Sequence, residues 1–211
     1  MKNASNTIPN QGNRRSDIFA AAVALFRRYG YDDTSMRDIA NAVGVMPASI
    51  YYHYPSKEAL FLATAIAGAE ALESAVEQAL EDEADPWRRL ESACEAHLET
   101  LLCGGDVVQV LYAELHRRRE GVLGEDILVM RRRYEDRFRE LVEALPLADS
   151  VNRTYLRLTL LGTIAWSLVW YREGGDTPSE VAQGIVSLIR HGCPDEPRPT
   201  AAVRARRRHK G

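Results

Sequence analysis

The chain has 211 residues, 45% hydrophobic and 27% charged, with 27 Lys+Arg against 30 Asp+Glu and a formal net charge of −3; this is ordinary globular composition, long enough for one large domain or two small ones around a buried core. No run reaches the ~18 uncharged apolar residues of a membrane span, and polar Met1–Asn13 lacks the apolar stretch of a secretory signal, so a cytoplasmic location without membrane contact is the default expectation. The near-neutral total, which read naively argues against nucleic acid, hides three regions: residues 1–60 hold 7 basic against 5 acidic side chains, 61–197 hold 14 against 25, and 198–211 hold 6 against none.

Ala, Leu, Glu and Arg dominate and β-branched alternation is missing, so helices are expected almost throughout. Residues 1–13 read as a disordered arm. Arg14–Tyr29 follows as a helix, with Ile18, Ala22, Leu25, Phe26 and Tyr29 at helical spacing and Gly30 as its stop. Thr34 is expected to cap a second helix with Met36, Ile39, Ala40 and Val43 on its apolar face, closed by Gly44. Pro47 opens a short third helix to His53. Ser56 caps a long fourth helix to about Glu83. Pro86 to about Leu102, Asp106–Arg119, about Glu125 to Ala144, Val151–Tyr171 and Pro178 to about His191 complete the series. From Pro194 onward Pro, Arg and Ala point to a disordered tail.

Two short helices around Gly44 have the layout of a helix-turn-helix. A positive φ at the turn is cheap only without a Cβ, which gives Gly44 a physical reason. Ile39, Ala40, Val45 and Ile50 would form the small core between the helices. The second helix is then the one that enters a major groove. Ala48 and Ser49 are short enough to bring its backbone near base edges. Tyr51, Tyr52, His53 and Lys57 supply donors for phosphates. The other reading is an ordinary helical corner with the tyrosines packed inside.

The run Thr34–Ala40 through Gly44-Val45, then Ile50-Tyr51-Tyr52-His53-Tyr54-Pro55-Ser56-Lys57-Glu58-Ala59-Leu60, resembles the N-terminal DNA-binding domain of the tetracycline-repressor (TetR) family. Ala20-Ala21 to Phe26 and Tyr29-Gly30-Tyr31 match that domain's first helix, so the resemblance spans about residues 14–62. It implies an all-α homodimeric regulator with a three-helix DNA-binding domain and a C-terminal helical ligand-binding and dimerisation domain. It also implies a palindromic double-stranded DNA partner, released when a small-molecule effector binds. Residue by residue, Thr34, Tyr51, Tyr52, His53 and Lys57 fall on the family's phosphate-contacting positions, and Pro47, Ala48 and Ser49 on its base-reading positions. One departure is Met46, where the family usually has a capping Ser or Thr; losing a cap costs ~1 kcal/mol, partly offset by Pro47. Met46 is alternatively an apolar contact for a thymine methyl.

The rest of the chain carries no GxSxG, Walker loop, GxGxxG or HExxH, so no enzyme is expected. Cys94, Cys103 and Cys193 are an odd number with no CxxC, and the five His are dispersed, so reduced thiols, no metal and no cofactor are expected. Val151–Tyr171 is apolar nearly all round, hence a core helix or an interface. The resemblance implies that the last two helices pair with their mates in a four-helix bundle, with Leu160, Ile164, Leu168, Val181, Ile185 and Leu188 as interface residues.

The segment Trp166–Val181 is also similar to a branch of the family that responds to acyl-coenzyme A thioesters. That similarity implies Arg172 for coenzyme A phosphates and Trp166 or Trp170 for the pocket wall; the alternative is that the tryptophans pack and Arg172 caps a helix end. Tyr112 and His116 share a helix face at i, i+4 and are further ligand candidates. The domains expected are an arm at 1–13, the DNA-binding head at 14–60, the body at 61–193 and a basic tail at 194–211, which attracts phosphate non-specifically or is merely solvated. The competing functional class is a constitutive DNA-binding or architectural protein, which a cavity-free body would favour.

Overall fold

The computed structural model describes residues 11–115 and 122–192. Among them every regular element is a helix: α1 (Gln11–Tyr29), α2 (Met36–Ala42), α3 (Pro47–His53), α4 (Lys57–Leu80), α5 (Pro86–Cys103), α6 (Asp106–Leu115), α7 (Val122–Glu143), α8 (Arg153–Trp170) and α9 (Pro178–His191). The all-α expectation holds. The arm's first ten residues, His116, Cys193 and the basic tail lie outside the described residues, whereas residues 11–13, expected in the arm, already belong to α1.

The punctuating residues explain most boundaries. Ser56 Oγ accepts from the Ala59 N–H at 3.1 Å and starts α4. Asp85, Asn152 and Thr177 do the same for α5, α8 and α9. The cap of α2 corrects the expectation: Ser35, not Thr34, fills it, in a reciprocal box with Asp38. Thr34 is only 2% exposed, and its hydroxyl donates inward to the Gly30 carbonyl at 2.8 Å. Gly44 takes φ +66, as the tight turn requires.

Helices α1 to α3 and the start of α4 share a core of Ile18, Ala22, Phe26, Ile39, Ile50 and Phe61. Phe61 meets Phe26 and Tyr31 edge-on, with centroids 5.3 and 4.9 Å away. α4 continues into the body, where it packs on α5, α6 and α7; α9 packs on α5, and α8 on α5 and α7. α4 is long and apolar enough to cross a membrane by length and hydropathy alone. Its apolar residues Leu60, Phe61, Leu72, Val76 and Leu80 are instead buried in these contacts, which accounts for the composition. Where α4 crosses α6, a Cβ at Gly68 would stand 2.9 Å from the Val107 carbonyl oxygen and 3.2 Å from Leu111 Cβ, so only glycine permits this approach.

Candidate nucleic-acid interface and effector cavity

α3 presents an open surface. Met46, Pro47, Ala48, Ser49, Tyr51 and Tyr52 are exposed and His53 is half-buried, while Ile50 alone anchors the helix in the core. Tyr52 is 77% exposed and meets the His53 ring edge-on at 5.3 Å. The tyrosines are therefore not internal packing. Met46 occupies the N-cap position with no side-chain hydrogen bond, so the cap that the sequence lacks is absent in the fold too.

Two of the expected phosphate residues sit differently. The Thr34 hydroxyl is turned into the head. Lys57 Nζ donates to the carbonyls of Tyr31 and Thr34, each at 2.9 Å, and lies 4.2 Å from the centroid of the Tyr31 ring. Its charge is engaged in holding the turn between α1 and α2. Arg37, not among the residues that the resemblance assigns to DNA, is exposed on α2 and makes no ion pair with a described residue. Its neighbour Asp38 is held below the usual carboxylate range mainly by its hydrogen bonds to Ser35.

The body contains an apolar cavity of about 120 Å³ between α4, α6, α7 and α8. Ala69, Leu72, Leu111, Ile127, Met130 and Leu161 form its apolar wall, and Tyr112, Tyr134, Arg131 and Glu135 its polar positions. Tyr112 was expected from sequence. Tyr134, Arg131 and the buried His97 behind them were not, because only tertiary packing brings α5 and α7 to α6. Glu135 accepts from Arg131 at 2.6 Å and from the nearly buried Arg157 at 3.3 Å, so one carboxylate serves two guanidinium groups. Neighbouring acids on α7 are likewise paired, Asp136 with Arg139 and Glu140 with Arg137.

The other ligand candidates are not in this cavity. Trp166 is 60% exposed and lines an outer groove with Arg27, Gln109 and Tyr112; Trp170 is exposed as well. Arg172 donates to the Val169 and Tyr171 carbonyls at 3.1 and 2.8 Å, so it caps the C-terminus of α8. The interface set also divides. Leu160 and Ile164 are fully buried and Val181 is 8% exposed, so they face the subunit's own core; Ile185 is half-buried. Leu168 and Leu188 do face outward, together with Tyr155, Leu158, Trp166 and Val169. α8 is apolar on both faces, so periodicity alone does not tell its inside from its outside.

Two family models match the chain: bacterial regulatory proteins of the tetR family over residues 18–64, and the tetracyclin repressor-like C-terminal domain over residues 83–193. The repressor KstR2 of Rhodococcus jostii is 26% identical over 188 residues, covering 85% of this chain and 90% of its own. A TetR-family regulator from Bordetella parapertussis has a similar structure, with TM-score 0.74, 26% identity and coverage of 85% and 95%. AibR, solved with isovaleryl coenzyme A and operator DNA, gives TM-score 0.73 and 26% identity, with coverage of 83% and 97%.

Proposed function

The chain belongs to the tetR family of bacterial regulatory proteins, and from that membership we propose that it is a cytoplasmic homodimeric repressor, released from a palindromic operator when the acyl group of an acyl-coenzyme A thioester enters the cavity. Its relatives are transcriptional regulators, not enzymes. In this reading residues 14–60 form the head. Pro47, Ala48 and Ser49 approach base edges, and Tyr51, Tyr52, His53 and Arg37 hold phosphates on either side. The acidic body repels DNA and favours approach by the head.

The single observation that carries ligand control is the double role of α6. Leu111 and Tyr112 are cavity wall. Asp106 and Gln109 of the same helix bind Arg27 of α1, at 2.7 and 2.8 Å. A ligand that displaces α6 therefore acts on the head through α1, and a ligand fitting the DNA-incompetent arrangement better shifts the population toward it. The apolar lining and the coenzyme A complex of AibR favour a thioester. The outward stripe of Leu158, Trp166, Val169 and Leu188, with bare Gly162 and Gly184 beside it, supports a dimer through α8 and α9.

Fluorescence anisotropy on an operator recovered by selection, with and without isovaleryl-coenzyme A, tests the reading. Release of the DNA is expected. An affinity untouched by any acyl-coenzyme A would favour a constitutive DNA-binding protein.

A further inference from the structure

His97 of α5 is 1% exposed and has a tyrosine hydroxyl at each ring nitrogen. Tyr112 Oη lies 2.5 Å from Nε2 and Tyr134 Oη 2.8 Å from Nδ1. Burial pushes the ring's pKa down to about 3, so it is neutral. A neutral imidazole has one N–H and one lone pair. One tyrosine must donate to the bare nitrogen, and the other must accept from the N–H. The accepting tyrosine keeps its own hydroxyl proton, and neither oxygen has a further partner among the described residues. Burial also raises both phenol pKa values, so ionisation does not remove that proton. Both tyrosines line the cavity, so the surplus donor belongs to its wall whichever tautomer holds. The carboxylate on that wall, Glu135, is already shared by Arg131 and Arg157.

We propose that this Tyr112–His97–Tyr134 relay is the polar recognition point of the cavity, donating one hydrogen bond to a neutral carbonyl oxygen on a small apolar group. The inference rests on reading the cavity as the effector site, and it narrows the effector. A buried donor without an acceptor is costly, so a ligand that supplies one is favoured over an apolar ligand of the same shape. An ammonium group would meet a carboxylate already engaged by two guanidinium groups, and a free carboxylate would lose its hydration against a single neutral donor. The cavity's 120 Å³ is close to the ~150 Å³ of an apolar cavity that holds benzene. An acyl group of roughly five or six carbons fits that space; a fused polycyclic body does not.

Isothermal titration of the full chain with two matched pairs tests this. One pair is isovaleryl-coenzyme A and its S-isopentyl thioether, in which CH2 replaces the carbonyl. The other is cyclohexanone and cyclohexane. The carbonyl member of each pair is expected to bind at least about tenfold more tightly. That preference should disappear in either Tyr112→Phe or Tyr134→Phe, whichever removes the surplus proton, with circular dichroism unchanged. Equal binding within both pairs to the wild-type chain overturns the relay, even if thioesters prove to be effectors. The ratio on wild type decides the matter should the variants not fold. A ketone preference with no coenzyme A binding supports the relay and removes the coenzyme A reading. No binding by any of the four overturns both.

Discussion

Arg27 Nε lies 2.7 Å from Asp106 Oδ1, joining the last turn of α1 to the first residue of α6. Both side chains are about half exposed, so the pair contributes under ~1 kcal/mol to folding. Its value is in coupling. Arg27→Ala should leave the thermal midpoint almost unchanged and reduce the effector-induced loss of DNA affinity severalfold. Anisotropy with and without effector checks this; an unaltered ratio would mean that α6 acts on the head through packing alone.

Lys57 and Tyr52 should behave differently, although the resemblance to the family implies a phosphate contact for both. Lys57→Ala removes the donor from the Tyr31 and Thr34 carbonyls and should cost about 1–3 kcal/mol in urea unfolding, weakening DNA binding through a loosened head. Tyr52→Ala should leave stability within about 0.5 kcal/mol and weaken binding to all sequences, with the salt dependence kept. Arg37→Ala removes one phosphate contact per subunit and should lower the salt slope of the dimer by about two. A full slope in Arg37→Ala would remove that residue from the interface.

Leu158 and Leu160 separate assembly from folding. Leu158 is 47% exposed and Leu160 is fully buried. Leu158→Glu should give a folded monomer in sedimentation velocity. Leu160→Ala should lower stability by about 2–5 kcal/mol and leave the dimer contact itself intact. A dimeric Leu158→Glu would exclude this face of α8.

His97 predicts a pH dependence. Its pKa is lowered from the ordinary 6.5 to about 3 in the folded chain. Between those values the unfolded chain binds a proton that the folded chain does not, so stability falls as pH drops below about 6.5 and is unaffected above it. The slope from this group is about 1.4 kcal/mol per pH unit. Urea unfolding at pH 5, 6 and 7 measures it, and His97→Gln should flatten the 5-to-6 step by that amount. An equal step in both proteins would mean that the ring is protonated in the fold.

The boundaries of α3 and the start of α4 were legible because Pro47, Ser56 and Gly44 act locally, through φ and through a cap. Arg172 was legible as one of two alternatives for the same reason, since its acceptors lie one and three residues back. Lys57 was not, because the carbonyls it holds are 23 and 26 residues away. The inward face of α8 was not, because a helix with apolar residues on both faces gives no clear periodic signal to orient it. His97 reads as a solitary histidine until α6 and α7 deliver tyrosines from 15 and 37 residues away.

The bare crossing at Gly68 also sets how the cavity adapts. Ala69, next in the chain, and Leu111, 3.2 Å from where a Cβ would stand, are both cavity wall. The α4 and α6 backbones are thus in close contact beside this wall, and the crossing leaves no room for a side chain at position 68. Ligands of different girth must be accommodated from the opposite wall, where Met130 has three rotatable bonds and Ile127 has two. Variation in ligand preference among related chains should therefore accumulate on α7, with α4 and α6 changing little at their crossing.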